Sequence, residues 1–457
     1  MDITRGPDRP WSRSFMKILL IQPPIEDFYT TPIRLYPLGL LYAARVFHHE
    51  GFQVKILDCL NPLKKRKIPI PADFAYLKPF FQNNSYLFKG YYRFGITEDE
   101  ITSEILSFSP DAVGISSLFT AYFRNVEETA RLVKSRLNVP VFIGGHHATV
   151  FSSEISEKSR FIDHILSGPA EGSAPGFGRY LKGGPDKEGF LPDWTSIAPA
   201  HDLLNGSHYR MGKTNYISMI ASRGCPVGCD FCSVRAMFGK TIEYREIDAV
   251  INEMRLNYND KNVRIFNFED DNLSFDRKWF GEFLQAVIKD KILKGIELTA
   301  MNGICYPTID DSALDLMKRA GFRRLNLSLV TKDRTLQKDL GRPGGLPHLE
   351  QIIRAAKKLR FLITVYLIIG LPGQTRREIQ ETIDYLFDQD VLVGPSIFYL
   401  PPGSPMYNKL GLSKELTTNW PLYRSSAFAV ETTHLTRSDL IELFSEVRKR
   451  NLAKKNR

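Results

Sequence analysis

Two successive α/β units, an open parallel sheet and then a partial (β/α)6 barrel with a helical tail, are predicted by three features of the sequence. Short apolar segments alternate with amphipathic segments of helical period, the pattern of parallel βαβ units. A Gly/Pro/Asp/Lys-rich stretch at 182–192 interrupts this alternation, which resumes at 215. The resumed series holds six strand–helix repeats in about 190 residues, fewer than the roughly 250 of a closed eight-fold barrel.

The elements follow in order. Residues 1–15 have no periodicity and are expected to form a disordered tail. The first unit, 16–195, carries strands at 17–22, 53–58, 112–116, 141–144 and 163–166, with helices at 38–50, 98–108 and 125–137. Gly51 closes the first helix, where a left-handed cap suits glycine. An aromatic-rich insertion at 74–94 is expected to pack at the interface between the units. A linker, 196–214, leads to the barrel, 215–412. Its strands are predicted at 215–222, 264–269, 297–300, 324–329, 364–369 and 396–400. The intervening helices are predicted at 247–258, 277–291, 312–320, 349–359 and 377–389. A helical extension, 413–457, ends the chain, with its clearest helix at 437–451. Ligands of parallel sheets sit beyond the carboxyl ends of the strands, so those ends are where chemistry is sought.

With 457 residues, 43% of them hydrophobic and 25% charged, the chain is long and apolar enough for large cores. The net charge of +10 is scattered, with basic clusters only at 64–67 and 448–457. No helix-turn-helix or basic–aromatic interleaving accompanies it, so nucleic acid is not an expected partner. The longest apolar run, 361–371, is far shorter than the roughly 20 residues of a membrane span. The N-terminus lacks the order of a signal peptide, and a cytoplasmic location is expected. Five cysteines in so long a chain make no disulfide framework. Cys59 and Cys305 stand alone in apolar surroundings and read as buried, inert thiols.

The other three fall within eight residues, Cys225-Pro-Val-Gly-Cys229-Asp-Phe-Cys232, directly after the first barrel strand. Thiolates are the ligands iron–sulfur clusters prefer, and a four-iron cluster takes four. Three closely spaced thiolates in one loop can ligate three irons and leave the fourth open to another molecule. Gly224 and Gly228 let the loop fold tightly. A structural zinc site would need a fourth ligand, and His208, the nearest histidine, precedes the strand.

This motif resembles the signature of the radical S-adenosylmethionine superfamily, C-x3-C-x2-C, and Phe231 matches the aromatic common before its last cysteine. The resemblance implies a [4Fe-4S] cluster whose open iron is chelated by the methionyl amine and carboxylate of S-adenosylmethionine. One-electron reduction then gives methionine and a 5′-deoxyadenosyl radical, which takes hydrogen from unreactive carbon. By the same resemblance, Glu269, Asp270 and Asp271 at the end of the second strand occupy the place of the amine-binding motif, without its glycines. Asn302 after the third strand and Ser328 on the fourth are candidate polar contacts to the cofactor. Ile368 and Gly370 match part of the adenine-binding motif, in which Tyr366 and Gly373 replace its first glycine and its glutamate. Arg342 is a candidate for the carboxylate or an exposed salt bridge.

The first unit resembles the cobalamin-binding domains that precede many such barrels, which implies a flavodoxin-like, Rossmann-like sheet. Ser116-Ser117-Leu118 matches the family's S-x-L and Gly144-Gly145 its double glycine. The D-x-H-x-x-G motif with its axial histidine is missing; the first strand ends Gln22-Pro23-Pro24. Cobalamin without an identified histidine ligand is the expectation, and a domain that no longer binds it is the alternative. His146 and His147 are expected to be loop residues beside the cofactor.

Together these features imply a cobalamin-dependent radical enzyme that methylates an unactivated carbon of a small molecule, fed by a one-electron reductant such as a flavodoxin or ferredoxin. An oxidative cyclase or rearrangement enzyme with the same cofactors is the alternative. A cobalamin- or zinc-binding sensor is the non-catalytic one. A methylthio-transferring enzyme would need a second cysteine triplet, which the sequence lacks.

Overall fold

The computed structural model describes residues 16–30, 36–82, 86–184, 193–204 and 209–455. The predicted tail 1–15, and residues 185–192 of the Gly/Pro/Asp/Lys-rich break, lie outside these.

Lys17–Gln22 (β1) is buried along its length after Lys17, as a central parallel strand must be. Its side chains alternate between two cores. Ile18 and Leu20 join Leu40, Ala44, Phe47 and Phe177 on one face, while Leu19 and Ile21 join Ile101, Ile105, Val126 and Val133 on the other. Gln53–Asp58 (β2), Ala112–Ser116 (β3), Val141–Gly144 (β4) and His164–Leu166 (β5) complete a parallel sheet of order β2-β1-β3-β4-β5. The helix Ala170–Leu181 was not foreseen, because Gly172, Pro175 and Gly178 interrupt its pattern. Burial of Ala174 and Phe177 against the sheet overrides that poor local propensity.

The second unit has the six predicted parallel strands: Thr214–Met219 (β6), Ile265–Phe268 (β7), Glu297–Thr299 (β8), Arg324–Val330 (β9), Leu362–Ile369 (β10) and Leu392–Ile397 (β11). Full ladders join β6 to β8 and β9 to β11. Among the described residues, the two groups meet through single bridges, Leu298 to Phe322 and Ile304 to Leu327. The last strand begins four residues before its predicted start. Gly394-Pro395 reads as a turn, yet β11 is an edge strand, where proline costs no ladder bond. That edge is covered by the C-terminal helix Arg437–Lys455, whose Asn451 amide accepts from the N–H of Val393 (3.1 Å) and donates to its carbonyl (2.6 Å). This completes a strand's hydrogen bonds with one side chain.

Three features tie the units together. The aromatic insertion contributes Phe74, Phe88 and Tyr91 to the barrel core, and Phe88 reaches Phe444 of the C-terminal helix with ring centroids 5.9 Å apart. Arg424, 7% exposed, donates to the carbonyls of Glu26 and Ala121 (both 2.6 Å), and Ser426 donates to Asp27 at 2.9 Å. The connection between the units is itself packed. The Tyr36 hydroxyl donates to His201 Nδ1, His201 Nε2 donates to Glu253 (2.9 Å), and Glu253 pairs with Arg245 at 2.6 Å. Burial raises the Glu253 carboxyl, but Arg245 and His201 outweigh it and hold it below its ordinary value.

Candidate functional site

The cysteine loop leaves β6 and is closed by a short antiparallel pairing of Ser222–Arg223 with Glu243–Tyr244. Gly224 has φ +85°, and a Cβ there would lie 2.3 Å from the Thr241 carbonyl, so glycine is required. The loop's backbone is fixed from several sides. The Asp230 N–H donates to the Leu340 carbonyl (2.9 Å), Cys232 donates to the Cys229 carbonyl (3.0 Å), and Arg235 donates to the Pro226 carbonyl (2.7 Å).

Cys225, Cys229 and Cys232 line one cleft at the carboxyl ends of the barrel strands, with about 690 Å³ of empty space, part of it open to solvent. Phe231, Asp271, Asn302 and Ser328, all expected at the site, line it too. Asp271 accepts from the Gly224 N–H at 3.1 Å and so fixes the loop as well. Arg342 donates to the Ser328 carbonyl (2.9 Å) and places a second nitrogen 3.8 Å from Cys229 Sγ. Burial pushes the Cys232 thiol up to about 11, so metal must displace a proton there.

Other expected residues are elsewhere. Asp270, 3% exposed, accepts from the N–H groups of Ala221 and Ser222 and from the Ser222 hydroxyl (2.6 Å). It anchors the start of the loop and does not face the cleft. Glu269 accepts from Asn267 (2.6 Å) and Ser218 (3.3 Å). Ile368 and Gly370 also lie outside the cleft lining; there Gln374 folds back to accept from the Gly370 N–H (2.8 Å) and donate to the Ile368 carbonyl (3.1 Å). The cleft residues outside the expected set include Asn272 and Cys305. Asn272 donates to Cys225 Sγ at 3.5 Å. Cys305, expected to be an isolated buried thiol, faces the same cleft. Its place just past a strand's carboxyl end was the available signal. Cys59 is buried, as expected, and burial holds its thiol well above the ordinary value.

Asp270 carries a testable pH dependence. Burial pushes its carboxyl up to about 7, whereas an unfolded aspartate titrates near about 4. The folded chain thus holds the proton more tightly and loses stability as pH rises from about 4 to about 7. Asp270→Asn lacks this contribution. Its melting temperature should fall less than the native chain's between pH 5 and pH 8, and parallel curves would contradict the assignment.

In the first unit, a second cleft opens at the ends of β1 and β3, lined by Gln22, Pro23, Ser116, Leu118, Phe119 and Tyr122 among others. Ser117 is fully buried, and its hydroxyl has no partner among the described residues. Gly145 has φ +120°, and a Cβ there would sit 2.7 Å from the Ser117 carbonyl. A Cβ on Gly144 would meet Leu166 of β5 at 3.5 Å, an ordinary contact. His147 is not beside the cleft: it is fully buried against Phe123, Phe151 and Trp420, and burial lowers it to about 3. His146 instead spans the units, with Nε2 3.2 Å from the Ser233 carbonyl, next to Cys232.

The donor set fits a cluster. Among the described residues, no three His, Cys, Asp or Glu side chains converge on a single metal-ion position. The three thiols instead line one cleft, as they must when each takes a different iron. Asn272 Oδ1 and Arg342 Nε are buried there without partners among the described residues, awaiting a polar occupant.

The chain matches the Radical SAM superfamily over residues 219–386 and the B12 binding domain over residues 30–177. It belongs to the cobalamin-binding radical S-adenosylmethionine enzymes, whose cofactors are a [4Fe-4S] cluster, S-adenosylmethionine and cobalamin. Among its relatives is the cytidylyl-2-hydroxyethylphosphonate methyltransferase of Streptomyces wedmorensis, 24% identical, the match covering 84% of this chain and 79% of that one. Another is the anaerobic magnesium-protoporphyrin IX monomethyl ester cyclase of Rubrivivax gelatinosus, 24% identical over 75% of this chain and 66% of that one. The fold is similar to that of the radical S-adenosylmethionine methyltransferase TsrM from Kitasatospora setae, with a TM-score of 0.64 and 16% identity over 92% of this chain and 86% of that one. Among the described residues, no helix is long and apolar enough to cross a membrane.

Proposed function

We propose that the protein methylates an unactivated carbon of a small molecule, using the cysteine cleft and the B12-type sheet as one composite site. The observation that carries this reading is the contact between the two: the His146 ring meets the backbone at Ser233, one residue beyond Cys232. The helix His146–Val150, which follows β4, packs against the helix Val234–Phe238 of the cysteine loop. The cofactors supply a 5′-deoxyadenosyl radical to remove hydrogen and a methyl group carried by cobalt to replace it.

The chain's own residues do the rest. Cys225, Cys229 and Cys232 hold the cluster; Asn272 and Arg342 donate toward its sulfur ligands and so favour the thiolate form. Asp271, Asn302 and the Asn272 carbonyl oxygen present acceptors to the methionyl ammonium in the same cleft. Ser116, Leu118 and the apolar Pro23 and Ile25 cradle cobalamin at the second cleft, whose lining among the described residues includes no histidine. Gly145 lets the end of β4 pack directly on the Ser117 carbonyl, where a side chain would clash. A one-electron reductant such as a flavodoxin or ferredoxin feeds the cluster in this reading, and the protein acts in the cytoplasm.

The cyclase relative favours a second reading, oxidative ring closure with the same cofactors. Anaerobically reconstituted protein given S-adenosylmethionine with a deuterated methyl group separates the two. Methyl transfer should yield 5′-deoxyadenosine and a product carrying the label. 5′-Deoxyadenosine with an unlabelled product that has lost hydrogen supports the cyclase reading.

A further inference from the structure

Cys305 is the fourth thiol in a cleft built around three. It follows β8, beyond the bridge of Ile304 to Leu327 that joins the two halves of the barrel. Its backbone is held by Thr308, whose N–H (2.9 Å) and hydroxyl (2.7 Å) both donate to the Cys305 carbonyl. Cys305 lines the cleft from this second wall, across from the loop that brings Cys225, Cys229 and Cys232 to it. A second observation shows that the cleft expects an occupant. Asn272, 4% exposed, keeps its carbonyl oxygen buried and without a partner among the described residues while its nitrogen reaches Cys225.

We propose that Cys305 ligates the fourth iron of the cluster when S-adenosylmethionine is absent, and yields that iron when the cofactor binds. This rests on the reading of the cleft as the cluster site. Four thiolates are the complement a four-iron cluster ordinarily takes, and this cleft contains four thiols from two separate strand ends. On displacement, the iron–sulfur bond to Cys305 breaks with its electron pair left on sulfur. That thiolate takes up the proton which the methionyl ammonium gives up as its nitrogen binds the iron. No oxidation state changes. Cys305 would thus shield the labile iron from solvent and oxidants between turnovers and make cofactor binding a competition.

The test uses the full chain, reconstituted anaerobically with iron and sulfide, alongside Cys305→Ala and Cys305→Ser. Titration with ferricyanide strips the fourth iron and leaves a three-iron cluster, read by electron paramagnetic resonance. Without S-adenosylmethionine, the native cluster should resist and both variants should convert several-fold faster; with it, the three proteins should converge. If Cys305 holds the iron in nine-tenths of molecules, Cys305→Ala should also bind S-adenosylmethionine about tenfold more tightly. Equal conversion rates and equal affinities would overturn the proposal. A native protein that takes up no four-iron cluster would overturn the cluster reading instead, so the two failures are distinct.

Discussion

Cys229→Ala is expected to yield a folded protein that makes no detectable 5′-deoxyadenosine when supplied with S-adenosylmethionine and reductant. Cys229 is 7% exposed and behaves in packing as a small apolar residue. Its loop is held by backbone bonds that alanine keeps, from Asp230 to Leu340 and from Cys232 to the Cys229 carbonyl. What the change removes is the central thiolate of the triplet and the partner of Arg342. Iron and sulfide analysis should show a large loss of bound cluster beside a nearly native melting curve. Cys59→Ala is the matched control: that thiol is fully buried in the first unit, outside the cleft, and cluster content should be retained. Persistent 5′-deoxyadenosine in Cys229→Ala would remove this cysteine from the machinery.

The largest stability effect is expected at Glu253→Ala. Glu253 and Arg245 are 1% and 0% exposed at their side chains and lie 2.6 Å apart. Removing the carboxylate leaves the guanidinium buried without its counter-charge, which costs about 3–5 kcal/mol. His201 loses its acceptor at the same time, so the packed connection between the units loosens with the barrel. Denaturant unfolding should show the midpoint falling sharply, with Glu253→Gln between alanine and native because it still accepts from His201. Glu282→Ala, in an exposed pair with Lys278, should leave the curve near native, as surface pairs contribute little. A small shift for Glu253→Ala would mean that water reaches Arg245.

The fold was legible where local chemistry and burial agree. β1, β3 and β4 carry near-continuous apolar runs bounded by turn residues, and they were found where expected, as was the more polar β2. The cysteine loop was legible because its ligands are neighbours in sequence. Asp270 and Asp271 look alike at a strand end; which turns inward depends on the N–H groups of residues 221 and 222, about fifty positions away. Ile368 and Gly370 matched a motif, but the return of Gln374 is a side-chain rotamer that sequence does not display. Cys305 carried only its place after β8 as a signal, because its position in the cleft depends on a bridge between two strands that are separate in the chain. The helix Ala170–Leu181 was missed because its glycines and proline argue locally against it.

The contacts of Arg424 and Ser426 with residues 26, 27 and 121 bear on how such enzymes can be recombined. A chimera that exchanges the first sheet for a relative's, cut neatly between the two units, would strand a buried guanidinium against carbonyls placed for another sequence. The segment around 424–426 belongs to both parents' inheritance. Shuffling that transplants it together with the N-terminal half preserves the fit, and shuffling that splits the pair discards it.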